Sequence, residues 1–234
     1  MRPLQATPKS SHLNPLSPIL ALYTAIFSPY DTLRPQPDFP GVDYLCFTDQ
    51  PLQSDQYQII SCPPLHQDPV RASRLPKLLP HLFLPHYPTS IWHDANMQFT
   101  GPAILSLFRE ALRQSPFVLF RHPYRDCIYE EAGWCTRHHK DDPVIIQKTV
   151  DTLRTQNYPP HQGLAACGLI ARQHHHAAVI QFSNAWWHFY QQHSRRDQLS
   201  FNYIAWQQQL PFRALPINIY DNPYLSIAPH KNRG

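Results

Sequence analysis

The chain has 234 residues, of which 42% are hydrophobic and 15% charged, so it can bury a sizeable core and is not of the disordered class. Proline is abundant, with 26 residues against only 6 glycines, and neither GxGxxG nor GxxxxGK[ST] occurs. The glycine-rich phosphate loops of dinucleotide enzymes and P-loop NTPases are therefore excluded. The formal net charge of +4 is spread along the chain, which argues against a nucleic-acid partner.

The first 17 residues combine prolines with a few positive charges and contain no continuous apolar run. We expect a flexible leader over residues 1–17 and a single domain over residues 18–234. The first apolar run, residues 19–27, is too short to cross a bilayer. The sequence thus predicts a soluble cytoplasmic protein without a transmembrane segment, and leaves open a peripheral position at the inner face of the membrane.

Short apolar runs alternate with helical patterns along the chain. The predicted strands cover residues 19–27, 42–49, 56–62, 89–99, 116–120 and 163–173. The predicted helices are a proline-kinked pair over residues 68–85, an amphipathic helix over 102–115, a helix over 144–156, and two helices broken near Ser194. Residues 121–142 are polar and aromatic and are predicted to be a functional insertion. This alternation predicts an α/β fold, in which ligands bind beyond the carboxyl ends of the strands.

Asp94 and Asn96 come directly after an apolar stretch, at the predicted end of a strand. Two oxygen ligands with this spacing can face one divalent cation if the chain turns there. A solvated turn is the simpler explanation of the same triplet, and spacing alone does not separate the two.

Arg71, Arg74 and Lys77 recur at three-residue intervals. Arg71 and Arg74 would share one helix face, and a bend at Pro76 could bring Lys77 round to the same side. Such a set suits a diphosphate, although a solvated basic face has the same pattern.

Dense polarity interrupts an aromatic helical region over residues 194–202. Buried polar groups are costly without partners, so this segment requires either an internal network or a ligand.

Neither the histidines nor the cysteines show metal-site spacing. His138 and His139, and the run His174 to His176, are predicted to be solvated loop residues because adjacent positions do not converge on one ion. The five cysteines contain no CxxC pair, and reduced thiols are expected.

Six ordered segments, YTAIFSPYDTL, PGVDYLCFTD, DPVRASRLPKLLPH, SIWHDAN, HPYRDCIYEEA and SRRDQLSFNY, carry a family resemblance. They resemble the glycosyltransferase-like family of plant mucilage-associated and bacterial capsular-polysaccharide synthesis proteins. The resemblance implies a GT-A-like nucleotide-sugar transferase fold, with a mixed central sheet flanked by helices. It also implies a metal-dependent transferase that moves a sugar from a nucleotide-diphosphate donor to a glycan or lipid-linked acceptor in capsular or surface polysaccharide synthesis.

The same resemblance implies residue roles. Asp94, Asn96 and, near the end of the chain, His230 would bind Mn²⁺ or Mg²⁺, while Asp197 and Gln198 would be catalytic. Residues expected to bind the nucleotide donor are Tyr23, Thr24, Ala25, Asp49, Arg71, Arg74 and Lys77. Asp197 could act as general base in an inverting reaction, or Gln198 could steady an oxocarbenium-like centre in a retaining one. The alternative is a catalytically silent subunit that binds nucleotide sugar or glycan, because an asparagine occupies the second metal position and residues 163–166 contain no carboxylate.

Overall fold

The computed structural model describes residues 20–29, 31–63 and 65–229. The predicted leader over residues 1–17 and His230 lie outside these ranges. The strands are β1 (Leu20–Ile26), β2 (Val42–Thr48), β3 (Gln58–Ser61), β4 (Thr89–His93), β5 (Met97–Phe99), β6 (Phe117–Arg121), β7 (Ala165–Arg172), β8 (Phe212–Leu215) and β9 (Leu225–Ile227). The α-helices are α1 (Pro69–Leu78), α2 (Pro80–Phe83), α3 (Ala103–Leu112), α4 (Ile128–Arg137), α5 (Pro143–Thr155), α6 (Ala177–Gln192) and α7 (Phe201–Gln207).

Seven of these strands form one mixed sheet in the order β3-β2-β1-β4-β7-β6-β8. All neighbouring pairs are parallel except those of β7, which runs antiparallel to both β4 and β6. β5 and β9 form a separate antiparallel ribbon. The expected fold class, an α/β domain with a mixed central sheet flanked by helices, is confirmed.

The sheet separates two hydrophobic layers. Along β1, Ala21, Tyr23 and Ala25 pack on one face, whereas Leu22 and Ile26 pack on the other, as the two-residue period of a strand requires. The first face is covered by α1, α2 and α4 to α7, and the second by α3 with the β5-β9 ribbon. The five cysteines are all buried and unpaired with one another.

Local signals explain the helix starts. Asp68 and Asp142 each precede a proline and accept a hydrogen bond from the backbone N–H two residues on, at Val70 and Val144. An Asp N-cap followed by proline at the first helical position satisfies an otherwise unpaired donor and pre-sets the helical φ. The kinked pair predicted over residues 68–85 is confirmed as α1 and α2.

Three expectations need correction. The strand predicted over residues 89–99 is divided into β4 and β5, because the chain turns at Asp94 and Met97 N donates to Asp94 O over 2.9 Å. The insertion over residues 121–142 contains α4, which the sequence did not predict. His174 is fully buried, whereas His175 and His176 are exposed as expected.

No helix within the described ranges is long and apolar enough to cross a membrane.

Candidate active site

A cleft of about 1140 Å³ lies along the edge of the sheet where the parallel strands end. Its walls come from the segments that follow β1, β4 and β6, from the first half of β7, and from the chain around β9. Sites that hold one drug-sized ligand have volumes of roughly 300–1000 Å³. The cleft therefore has room for a nucleotide sugar and part of a second substrate.

Asp94 lies at the middle of this edge, at the turn between β4 and β5. Its backbone N–H donates to Gly168 O over 2.9 Å, and its Oδ1 accepts a hydrogen bond from Trp92 Nε1 at 3.0 Å. The side chain is 27% exposed. The carboxylate is thus held from behind by β4 and β7 and presented to the cleft.

Gly168, which the sequence analysis did not single out, provides the space for that carboxylate. A Cβ at this position would lie 2.5 Å from Met97 Cε and 3.2 Å from Asp94 Oδ2. Glycine is therefore required here by close packing rather than by backbone conformation. The sequence signal was a glycine inside a strand pattern, which often marks a close approach.

Lys77 connects the two carboxylates of the site. Its Nζ lies 2.5 Å from Asp197 Oδ2 and 3.5 Å from Asp94 Oδ1, and only 1% of the residue is exposed. Arg74 Nε lies 3.4 Å from Asp197 Oδ2. Ion pairs among this cluster of buried side chains therefore connect α1 to the turn that precedes α7.

This cluster controls the protonation of Asp197. Burial by itself raises the pKa of a carboxyl group, but the charges of Lys77, Arg74 and Arg196 outweigh it and lower the pKa of Asp197 to about 2. Asp197 is consequently an anion at neutral pH.

The loop that carries Asp197 is fixed by a network. Asp141 Oδ2 accepts hydrogen bonds from Ser194 Oγ at 2.7 Å and from Arg195 N at 2.8 Å. Gln198 Oε1 accepts one from Arg196 Nη2 at 3.1 Å. Of the two explanations left open for residues 194–202, an internal network is present, and four consecutive members of it, residues 195–198, also line the cleft.

Asn96 also lines the cleft and is tied to the end of the chain. Its Nδ2 donates to Ala228 O over 2.8 Å, and Ala228 N donates to Asn96 O over 2.9 Å. No group of three His, Cys, Asp or Glu side chains that could hold a metal ion occurs among the described residues. The donors that are present, one carboxylate and one amide, are the hard oxygen ligands that Mg²⁺ and Mn²⁺ take, with diphosphate and water to complete the shell.

The other residues predicted to bind the donor lie in different surroundings. Ala25 lines the cleft, whereas Tyr23 and Thr24 are fully buried. Tyr23 Oη donates to Pro76 O at 3.3 Å and accepts from Arg172 Nη2 at 2.6 Å, so it ties β1 to α1.

Asp49 and Arg71 hold backbone segments beside the cleft. Asp49 Oδ1 accepts from Ser28 N at 3.0 Å and supports the positive φ of 62° at Ser28, which lines the cleft. Arg71 donates to the carbonyl oxygens of Tyr190 and His193 at the end of α6. The structure therefore brings Arg74, Asp94 and Asp197 together in the lining, with Lys77 buried beneath them. The predicted donor residues Tyr23, Thr24, Asp49 and Arg71 lie outside the lining.

Several residues of the 121–142 insertion form one wall of the cleft. Arg125 Nε pairs with Glu131 Oε2 at 2.6 Å, and its guanidinium lies 5.0 Å from the Trp134 ring centroid. In this wall the sequence singled out only His138 and His139, as solvated loop residues; both are exposed and both line the cleft. Tyr220, on the segment between β8 and β9, was not predicted. Cleft residues that were missed are His122, Tyr124, Arg125, Glu131, Trp134 and Tyr220.

Charges in the cleft are balanced. The described lining residues include five Arg or Lys side chains and five Asp or Glu side chains, and Lys77 adds one positive charge from below. The lining therefore has little excess positive charge with which to neutralise a diphosphate.

Comparison with known proteins gives two findings. A family model described as the TOD1/MUCI70 glycosyltransferase-like domain matches residues 56–225. Among solved structures, the apo form of mouse xyloside xylosyltransferase 1 is similar at 10% identity and a TM-score of 0.44, over 85% of this chain and 84% of that chain. That level of structural similarity supports no conclusion about activity. Comparison with curated protein sequences gives no match.

Proposed function

This chain belongs to the TOD1/MUCI70 glycosyltransferase-like family, and from that premise we propose that it is a metal-dependent glycosyltransferase. It transfers a sugar from a nucleotide-diphosphate donor to a glycan or lipid-linked acceptor. The proposal rests on one observation. Beyond the strand ends, Asp94 and Asp197 line the same cleft, and the buried Lys77 lies within 3.5 Å of both carboxylates. Arg74 and Arg196 also line the cleft.

The donor half of the cleft lies on the side of β1 and β2. Ser28, held by Asp49, and Ala25 line that side. Arg74 also lines the cleft, with its Nε 3.4 Å from Asp197 Oδ2. Arg74 would donate to the diphosphate oxygens, where charge-assisted hydrogen bonds are strongest. Because the lining charges are balanced, a divalent cation on Asp94 and Asn96, with His230 as the third expected ligand, would supply the missing positive charge and stabilise the leaving diphosphate.

In the transfer, the bond from the anomeric carbon to the diphosphate oxygen breaks and the acceptor hydroxyl oxygen forms a new bond to that carbon. The hydroxyl proton would pass to Asp197 in the inverting alternative and to the leaving diphosphate in the retaining one. Positive charge that develops at the anomeric carbon is stabilised by the fixed negative charge of Asp197. A carboxylate with a pKa of about 2 accepts a proton poorly at neutral pH. Asp197 would act as a general base for inversion only if Lys77 and Arg74 moved from its carboxylate to the diphosphate. In the retaining alternative, Gln198 would stabilise the positive charge at the anomeric carbon.

The test is release of nucleoside diphosphate from UDP-, GDP- and CMP-linked sugars, with CMP release scored for the CMP donors, in Mn²⁺, in Mg²⁺ and in chelator. We expect metal-dependent release that falls by at least about 100-fold in Asp94→Asn, which keeps the shape of the side chain and removes its charge. Asp151→Asn on the exposed face of α5 is the matched control. Release that is unaffected by Asp94→Asn, or by chelator, would contradict the proposal.

A second candidate is a catalytically silent subunit that binds nucleotide sugar or glycan. Two observations favour it: Asn96 Nδ2 is engaged by Ala228 O, and Ala166 occupies the cleft wall where a carboxylate was expected. This candidate predicts that one nucleotide raises the melting temperature while no donor is cleaved.

Synthesis of a capsular or surface polysaccharide, at the cytoplasmic face of the membrane, remains part of the proposal on the strength of the resemblance alone. Fractionation of cells that express the full chain, followed by analysis of surface glycans after its deletion, tests both points.

A further inference from the structure

Two exposed tyrosines from distant parts of the chain lie side by side at the cleft. Tyr124 is 67% exposed and Tyr220 is 60% exposed. Their ring centroids are 6.0 Å apart and their planes differ by only 8°. Two neighbouring, mostly exposed aromatic rings form a contiguous exposed patch beside the candidate active site, and such patches mark sites of interaction.

Both tyrosines are held in place by local hydrogen bonds. The backbone N–H groups of Tyr124 and Arg125 donate to Nδ1 of the buried His122, at 3.4 Å and 3.1 Å. Tyr220 N donates to Asn218 Oδ1 at 2.9 Å, and Asn222 Nδ2 donates to Asn218 O at 2.9 Å. The pair is therefore preorganised, so a ligand that stacks on it orders little additional chain.

The pair lies on the opposite side of Asp94 from the donor half. Tyr124 follows β6 and Tyr220 follows β8, whereas Ser28 and Asp49 follow β1 and β2. β4, whose last residue precedes Asp94, lies between these groups in the sheet. Since neighbouring strands are about 4.8 Å apart, each side begins within roughly 10 Å of Asp94.

The environment of Tyr220 connects the pair to the reacting centre. Partial burial and the nearby charge of Glu131 raise the pKa of Tyr220; Tyr124 and Asp94 act in the same direction, whereas Arg196 acts against them. Tyr220 is therefore within electrostatic reach of Glu131, Arg196 and Asp94, all of which line the cleft.

We propose that Tyr124 and Tyr220 form the stacking platform of an acceptor subsite that binds a sugar ring of a glycan. A pyranose ring has an apolar C–H face that packs on aromatic rings, and a rim of hydroxyl groups that bind polar neighbours. The Arg125–Glu131 pair and Lys140 supply donors and acceptors around the platform. The acceptor role rests on the proposed function, but saccharide binding can be measured without turnover.

The experiment uses an array of immobilised oligosaccharides with neutral, acidic and deoxy-sugar termini, followed by calorimetry with the best-bound one. We expect Tyr124→Leu and Tyr220→Leu each to weaken saccharide binding about tenfold, and Tyr124→Phe and Tyr220→Phe to keep most of the affinity, since stacking needs the ring and not the hydroxyl. Val144→Ala, at an exposed position of α5 outside the cleft, is the control for surface apolar loss. Melting temperatures of all variants verify folding.

Three results would overturn the platform: no oligosaccharide binds, the leucine variants bind as well as the native chain, or the leucine variants lose affinity for UDP or GDP equally, as a nucleobase platform would. The two proposals fail separately. Metal-dependent donor cleavage with saccharide binding indifferent to the tyrosines removes only the platform. Tyrosine-dependent saccharide binding without cleavage of any donor removes only the transferase.

Discussion

At the scale of single residues, the site depends on side chains that are buried and charged. Lys77 is almost completely withdrawn from water, and its positive charge is compensated by Asp94 and Asp197. Breaking such a pair leaves a buried charge alone, which costs about 3–5 kcal/mol. The same coupling means that a ligand able to draw Lys77 away changes the protonation of Asp197.

Gly168→Ala tests the close approach behind Asp94. The added Cβ would force Met97 Cε and Asp94 Oδ2 to move. Because the methionine end is flexible, we expect a stability loss of about 1–3 kcal/mol. The displaced carboxylate should lower donor cleavage at least about tenfold. Urea denaturation and diphosphate release measure the two effects.

The matched control for this substitution is Gly101→Ala, because a Cβ added at Gly101 would meet no heavy atom within 4 Å. It should change neither quantity by much. Equal effects of the two substitutions would show that the space at Gly168 does not matter.

At the scale of elements, the active-site loop depends on the junction between α4 and α5. Asp141 and Asp142 are adjacent but have different partners. Asp141 accepts hydrogen bonds from Ser194 and Arg195 in the active-site loop. Asp142 caps α5 by accepting a hydrogen bond from Val144 N. Arg195 Nε also lies 3.2 Å from Asp141 Oδ1. A helix junction far from this loop in sequence thereby positions Asp197.

Asp141→Ala should therefore impair the site more than Asp142→Ala. The first change leaves Ser194 Oγ and Arg195 N without their acceptor and should cost about 2–3 kcal/mol. The second removes an exposed cap and should cost about 1 kcal/mol. Hydrogen exchange over residues 194–199 should accelerate only in Asp141→Ala, together with a fall in donor cleavage; equal exchange in both variants would contradict this assignment.

At the scale of the whole molecule, buried histidine makes stability depend on pH. His174 Nε2 donates to Leu84 O at 3.0 Å, and burial lowers the pKa of His174 to about 3. Further groups that face it are His175, Arg172 and His81, whose positive charges act in the same direction. Folding therefore keeps this imidazole neutral.

The sign follows from the pKa difference. Between pH 6.5 and 3 the unfolded chain binds a proton at His174 that the folded chain does not, so stability falls as the pH falls through this window. From pH 7 to pH 5 the loss from this residue is about 2 kcal/mol. Urea midpoints at the two pH values should show a smaller difference in His174→Gln, and an unchanged difference in His188→Gln on the exposed face of α6. An unaltered difference in His174→Gln would refute the assignment.

The sequence by itself determined most of the local structure, because apolar periodicity, Asp-Pro caps and the prolines at 76 and 80 act over a few residues. It also predicted that Asp94, Lys77 and Asp197 belong to one site, through a resemblance that spans distant segments. It did not resolve the turn at Asp94, because apolar residues resume at Met97 and the whole of residues 89–99 was predicted as one strand. Nor did it show which residues of the 121–142 insertion enter the cleft.

Only the tertiary structure decided which side chains meet. β7 lies between β4 and β6, and this places Gly168 behind Asp94. The strand order also brings Tyr124 next to Tyr220, although about a hundred residues separate the two tyrosines in the sequence. Tyr23 and Arg71 are residue types that suit a donor-binding site, but both donate their hydrogen bonds to backbone carbonyl oxygens. Side-chain chemistry is a property of the sequence, whereas burial, charge pairing and close approach are long-range and arise only when the sheet assembles.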